Sequence, residues 1–169
     1  IKNGGDLTLT GQRVSEEEIQ RFGILKVDEN NKVREFLEKP KTADSNLGSM
    51  GIYVFNKEKL IKILEESKNI EGLDFGKHII PKIIKENQTY LYEFNDYWKD
   101  VGTYDAYWEA NLELTKSYKD IKLDMYDNNW KIYTRSEELP AVKFGLKNTI
   151  VQSLISNGCI ITGDVENSV

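Results

Sequence analysis

The sequence predicts an α/β layered domain whose C-terminal end passes into short repeated strands of a parallel β-helix. Two observations carry that prediction. Up to about residue 122, segments alternating apolar and polar side chains interleave with segments of helical apolar spacing. From Ser153, small and aliphatic side chains recur at six-residue intervals. With 39% hydrophobic and 30% charged residues, the 169-residue chain holds enough apolar material for one core, or one core with an appendage.

The elements follow in order. Residues 6–14 alternate Leu7 and Leu9 with Thr8 and Thr10, as a strand does. Ser15 and Glu18 then make a capping box, in which hydroxyl and carboxylate satisfy orphan amides reciprocally, opening a short helix that ends near Phe22. Residues 22–27 and 33–37 read as two strands joined by the turn Asp28-Glu29-Asn30-Asn31, whose residue types tolerate left-handed backbone. The run Met50-Gly51-Ile52-Tyr53-Val54-Phe55 is dense in β-branched and aromatic side chains and reads as a buried strand. Asn56 caps a helix with Leu60, Ile61, Ile63 and Leu64 on one face.

Residues 75–85 continue with Ile79, Ile80, Ile83 and Ile84 at helical spacing, and Pro81 is compatible only with a helix start. Residues 90–94 alternate as a strand. Thr103 is an N-cap for a long helix expected to turn Tyr104, Tyr107, Trp108, Ala110 and Leu112 towards a core. Residues 128–140 are a polar and aromatic connector. Beyond them Ser153-Leu154-Ile155-Ser156-Asn157-Gly158 aligns with Cys159-Ile160-Ile161-Thr162-Gly163-Asp164, which suits a β-helix coil with small residues at its corners. Two hexads alone fit an ordinary β-hairpin as well, and the next departs at Asn167.

Composition excludes several classes. No apolar run approaches the roughly 18 residues of a membrane span, and no basic start with an apolar core marks a signal peptide, so a cytoplasmic protein without a membrane role is expected. The single cysteine, Cys159, rules out an internal disulfide framework and a multi-cysteine zinc site. A formal charge of -5 argues against nucleic-acid binding, which draws on a basic surface. The chain starts at Ile1 and stops at Val169 inside an unfinished repeat, so both ends are expected to be internal to a longer protein.

Three places could carry chemistry. Phe36-Leu37-Glu38-Lys39-Pro40 ends a strand with a carboxylate and an ammonium. Beyond a strand's carboxyl end Lys39 can pair with a phosphate while Glu38 accepts sugar hydroxyls, although the same residues fit a solvated ion pair. Ser49 can bond a sugar hydroxyl or simply enter the next strand. In Tyr97-Trp98-Lys99-Asp100-Val101-Gly102-Thr103, Asp100 offers a hard oxygen to Mg²⁺ beside Trp98, a platform for a sugar face, or else caps a turn beneath two aromatics. The only histidine, His78, has no second His or Cys at metal-ligand spacing and is given no catalytic role.

These motifs, with Ser49-Met50-Gly51-Ile52-Tyr53-Val54-Phe55, Asp74-Phe75-Gly76-Lys77-His78-Ile79-Ile80-Pro81 and Trp130-Lys131-Ile132-Tyr133-Thr134-Arg135, resemble in order and spacing bacterial glucose-1-phosphate adenylyltransferase. The resemblance runs over essentially the whole chain. It implies the C-terminal half of a Rossmann-like nucleotidyltransferase domain over residues 1–122, a connector over 123–149 and the first coils of a left-handed parallel β-helix over 150–169. It implies ATP and glucose 1-phosphate as substrates, Mg²⁺ as cofactor, and a homotetrameric full-length enzyme that makes ADP-glucose for glycogen or starch.

By the same resemblance, the Gly23 backbone would touch the glucose, Glu38 and Ser49 would hold its hydroxyls, and Lys39 its phosphate. Trp98 would lie against the sugar, and Asp100 would be one of two aspartates on the metal. Lys39 and Asp100 are then expected to line one cleft mouth. The family's glycine-rich loop and first metal aspartate are not among these residues, so the chain alone is expected to lack turnover. At His78 the family commonly has aspartate. Thymidylyl or guanylyl transferase, and a non-catalytic regulatory subunit of the same fold, are the competing readings.

Overall fold

The structure, a computed structural model, describes residues 4–86, 88–117, 119–135 and 137–169. The chain divides into two compact units, Ile1–Asp96 and Tyr97–Val169.

The first unit is a five-stranded mixed sheet backed by helices. Strand β1 (Leu7–Arg13) is followed by a short 3-10 turn at Glu16–Arg21, then β2 (Gly23–Val27), β3 (Val33–Glu38) and β4 (Leu47–Phe55). Helix α1 (Lys57–Ser67), a π-helical turn at Phe75–Ile79, α2 (Ile80–Glu86) and β5 (Thr89–Glu93) complete it. The strand order is β3-β2-β4-β1-β5, antiparallel throughout except for the parallel β1–β5 pair. Lys32 also bridges Tyr90, and the Leu91 N–H donates to the Asn31 carbonyl at 2.8 Å, so the two outer strands meet at one end and the sheet curls.

Local chemistry explains the connections. Both the N–H and the hydroxyl of Ser15 donate to the Glu18 carboxylate, at 3.1 and 2.8 Å, which forms the expected capping box and holds Glu18 below the usual carboxylate range. In the β2–β3 turn, the Asp28 carboxylate accepts from the N–H groups of Asn30 and Lys32 and from Nε and Nη2 of the Arg34 guanidinium. Asn31 takes φ +58°, as the turn requires. The Asn56 side chain accepts from the N–H groups of Glu58 and Lys59, capping α1. The residues expected to form one helix over 75–85 instead make a π turn and then α2. Pro81, which has no N–H to donate back to the preceding turn, sits in the first turn of α2, where that lack is tolerated.

One face of the sheet is the core. Leu7, Leu9, Leu25, Val33, Phe36, Leu47 and Leu91 pack with Ile63 of α1 and with Ile79, Ile80 and Ile83. Beneath them the Thr89 hydroxyl is fully buried with no hydrogen-bond partner among the described residues.

Strand β4 departs from the expectation of a buried strand. Its first residues, Leu47 to Ser49, are buried, but Ile52 and Val54 are about half exposed, at 50% and 48%. The strand alternates: Tyr53 and Phe55 pack against the core, while Ile52 and Val54 belong to the opposite face.

In the second unit, α3 (Tyr104–Glu113) starts where expected, the Thr103 hydroxyl accepting from the Ala106 N–H at 3.2 Å. Of the expected core-facing side chains, Tyr104, Tyr107 and Trp108 are nevertheless exposed and Ala110 and Leu112 only half-buried, and no residue of α3 is buried. Among the described residues of this unit only Thr115 is buried, so it has no apolar core to receive them. Four two-residue strands follow, in two parallel pairs: β6 (Lys143–Phe144) with β8 (Ile160–Ile161), and β7 (Ile150–Val151) with β9 (Val165–Glu166). Leu154, Ile155 and Ile161 are half-buried and Ile160 is exposed. Among the described residues, no helix is long and apolar enough to cross a membrane.

Candidate functional site

In the first unit the polar groups gather where β3 ends and β4 begins. Gly23 and Glu38 are cross-strand partners at the end of the β2–β3 ladder. Lys39 lies one residue further on, and its N–H donates to the Phe22 carbonyl at 3.2 Å. Its backbone is left-handed, φ +46°, which strains a side-chain-bearing residue, and Pro40 follows it. The kink leaves the Lys39 side chain 64% exposed while that of Glu38 is 25% exposed, with ammonium and carboxylate 4.0 Å apart. That is the limit of ion-pair range, so the ammonium is available to an anion.

Ser49 sits on β4 and is buried. The strand has a bulge against β1, since Leu9 pairs with Tyr53 whereas Gly11 pairs with Ser49, and Gly51 within it takes φ +74°. At this bulge the Ser49 hydroxyl accepts from the Gly51 N–H at 3.3 Å, and Ser49 lies close enough to Tyr53 to influence its phenol. Burial pushes the Tyr53 phenol up, neighbouring Ser49 opposes this, and the charges of Glu38 and Asp74 add to the rise. Those influences put Ser49, Tyr53, Glu38 and Asp74 in one neighbourhood.

The 74–79 segment closes this neighbourhood. The Asp74 carboxylate accepts from the Lys77 N–H at 2.8 Å. The Asp74 N–H donates to His78 Nδ1 at 3.1 Å, so His78 serves as a local brace for the turn. Phe75 packs edge-on against Phe55, which itself meets Tyr53 edge-on. Glu38 reaches over Gly76 so closely that a methyl group there would collide with its carboxylate.

Trp98 and Asp100 belong to the second unit. Residues 97–99 are tied to α3: the Tyr97 hydroxyl donates to Glu113 at 2.5 Å, and Lys99 donates to Glu109 at 3.0 Å and Glu113 at 3.3 Å. Burial and the Glu113 bond push the Tyr97 phenol up to about 12, and the same bond is the main influence lowering Glu113. The half-buried Asp100 carboxylate curls back over Gly102, where a side chain would stand 3.0 Å from Oδ2. No group of three or more His, Cys, Asp or Glu side chains suited to a metal occurs among the described residues.

Of the residues singled out from sequence, Gly23, Glu38, Lys39 and Ser49 are thus brought together in the first unit, and Trp98 and Asp100 adjoin in the second. Sequence reasoning gave no role to Tyr53, Asp74 or Gly76. Ser49 and Tyr53, four apart in one strand with a glycine between them, carried the available signal, which required knowing that the strand bulges.

Comparison with known proteins gives a consistent picture. A family model described as "Nucleotidyl transferase" matches residues 1–117. The glucose-1-phosphate adenylyltransferase of Pseudothermotoga lettingae is 46% identical over 100% of this chain and 40% of its own length. That of Acetivibrio thermocellus is 43% identical over 99% of this chain and 40% of its own. That of Mycoplasma mobile is 44% identical over 99% and 44%. The chain spans less than half the length of these curated relatives. Matched over most of its residues by the family model, and similar along its whole length to adenylyltransferases, the chain belongs to the nucleotidyl transferase family of enzymes.

Proposed function

We propose that this chain supplies the hexose-phosphate side of a glucose-1-phosphate adenylyltransferase, which joins AMP from ATP to glucose 1-phosphate. The single observation that carries the reading is the placement of Glu38, at the end of the β2–β3 ladder and over Gly76, beside the strained, solvent-facing Lys39, an acid and an ammonium suited to a polyol bearing a phosphate.

In this reading Glu38 and Ser49 hold sugar hydroxyls, the Gly23 backbone approaches the ring, and Trp98 offers it a flat apolar face. Lys39 neutralises the sugar phosphate. A phosphate oxygen then attacks the α-phosphorus of ATP, the bond from that phosphorus to the β-phosphate oxygen breaks, and pyrophosphate leaves with the electron pair. The protein's part is alignment and charge, with no side-chain base required. Asp100 supplies one hard oxygen, which suits Mg²⁺ because that ion keeps most of its ligands as water and phosphate. When bound, the ion would withdraw charge from the phosphates.

The same reading makes ADP-glucose for glycogen or starch in a cytoplasmic homotetramer, and it treats residues 150–169 as the opening of a left-handed β-helix. The parallel β6–β8 and β7–β9 pairs support such a coil. The 169 residues hold no glycine-rich loop to cradle nucleotide phosphates, so in this reading the chain alone is without turnover.

The test is pyrophosphate release by the full-length protein with glucose 1-phosphate and each of ATP, dTTP and GTP. Preference for ATP is expected. Preference for dTTP or GTP would make it a different transferase, and no turnover with any would favour a regulatory subunit. Lys39→Ala leaving the KM for glucose 1-phosphate unchanged would refute the site assignment.

A further inference from the structure

Gly76 is a glycine for a reason its backbone does not explain. The residue is not among those with positive φ, so the π turn at Phe75–Ile79 accepts any L-residue at this position without strain. A glycine inside a helical turn is even slightly unfavourable, because it loses more backbone freedom on folding than alanine. What the position lacks is room. A Cβ at 76 would collide with Glu38 Oε2, lie 2.9 Å from its Cδ, and lie 3.4 Å from Asp74 Oδ1.

The colliding atoms are the end of a long side chain rather than backbone. A methyl group at 76 would therefore leave the fold intact and push the Glu38 carboxylate aside. The surroundings limit where that carboxylate can go, because the 74–79 segment is fixed by the Asp74 cap, the His78 brace and the Phe75–Phe55 ring contact. The Glu38 backbone is fixed by its pairing with Gly23.

We propose that Gly76 is a positioning residue of the sugar-phosphate site: its missing side chain is the space in which the Glu38 carboxylate sits, and that space sets where the sugar hydroxyls bind. The inference rests on the reading of Glu38 given above.

Three variants of the full-length protein test it, each by its melting temperature and its separate KM values for glucose 1-phosphate and ATP. Gly76→Ala is expected to melt at or above the parent temperature and to raise the KM for glucose 1-phosphate about tenfold or more, as loss of a hydrogen bond to a charged group does, with the KM for ATP unchanged. Glu38→Gln is expected to raise the same KM. Adding Glu38→Asp to Gly76→Ala shortens the acid by one methylene and is expected to recover part of the loss. If Glu38→Gln leaves the KM for glucose 1-phosphate unchanged, the reading of Glu38 fails and this inference with it. If Glu38→Gln raises it and Gly76→Ala does not, the inference alone is overturned. A clear drop in melting temperature for Gly76→Ala also overturns it, because the glycine would then serve the fold.

Discussion

The backbone N–H of Lys39 donates to the carbonyl of Phe22 at 3.2 Å, one residue beyond the last β2–β3 pair, and this bond accompanies a left-handed conformation at Lys39. Four links follow from it: Lys39 leaves the sheet plane, Pro40 turns the chain away, Glu38 stays within the ladder, and the two charged side chains part.

Lys39→Gly should separate strain from chemistry. Glycine adopts φ +46° without the clash that a Cβ brings, which favours the folded state by about 1 kcal/mol. Denaturant melts should therefore show Lys39→Gly more stable than Lys39→Ala by about that amount. Under the proposed function, both variants should bind glucose 1-phosphate much more weakly than the parent.

Gly23→Ala should destabilise. A methyl group at 23 would run into the ring of Phe36, a rigid side chain held in the core. Overpacking of this kind costs about 1–3 kcal/mol. Combining it with Phe36→Leu should lose less stability than the two changes summed, as chemical denaturation of the four proteins in the cycle would reveal. Simple additivity would mean that the ring and the glycine are not in conflict.

Tyr97 should be visible in a pH titration. Its phenol is raised from 10.0 to about 12, so the folded protein keeps a proton that the unfolded chain has released. The corresponding stability is fully present below pH 10.0 and is lost as pH rises towards about 12. Following the ultraviolet phenolate band, Glu113→Gln should move one tyrosine's midpoint back towards its ordinary value, because a neutral amide no longer opposes the phenolate.

Thr89→Val should be neutral or stabilising, by up to about 1 kcal/mol. The buried hydroxyl has no hydrogen-bond partner among the described residues, and valine fills the same shape without a desolvated polar atom. A loss of more than about 1 kcal/mol in thermal unfolding would mean that the hydroxyl is satisfied after all.

The capping box at Ser15, the Asp28–Asn31 turn, the Asn56 and Thr103 caps and the β2–β3 hairpin were legible in sequence because each depends on residues within a few positions of one another. The limits of such reading appear at β4 and α3. Apolar density does not say whether a second layer covers both faces of a strand, so Ile52 and Val54 looked buried and are half exposed. In α3, helical spacing marked a face, but the spacing of Tyr104, Tyr107 and Trp108 carries no information about what lies opposite.

The candidate site divides in the same way. Glu38, Lys39, Ser49 and Asp100 stood out as residue types suited to sugar, phosphate and metal, and their motifs carried the family resemblance. The sequence by itself determined those types and the local turns that present them, since adjacent residues fix φ, ψ and hydrogen bonds without help from afar. Tertiary structure alone decided that Tyr53 meets Ser49 over a bulge, and that Glu38 lies over Gly76, far along the chain. Such meetings depend on strand register and on the packing of the 74–79 segment against the sheet, which no short stretch of residues encodes.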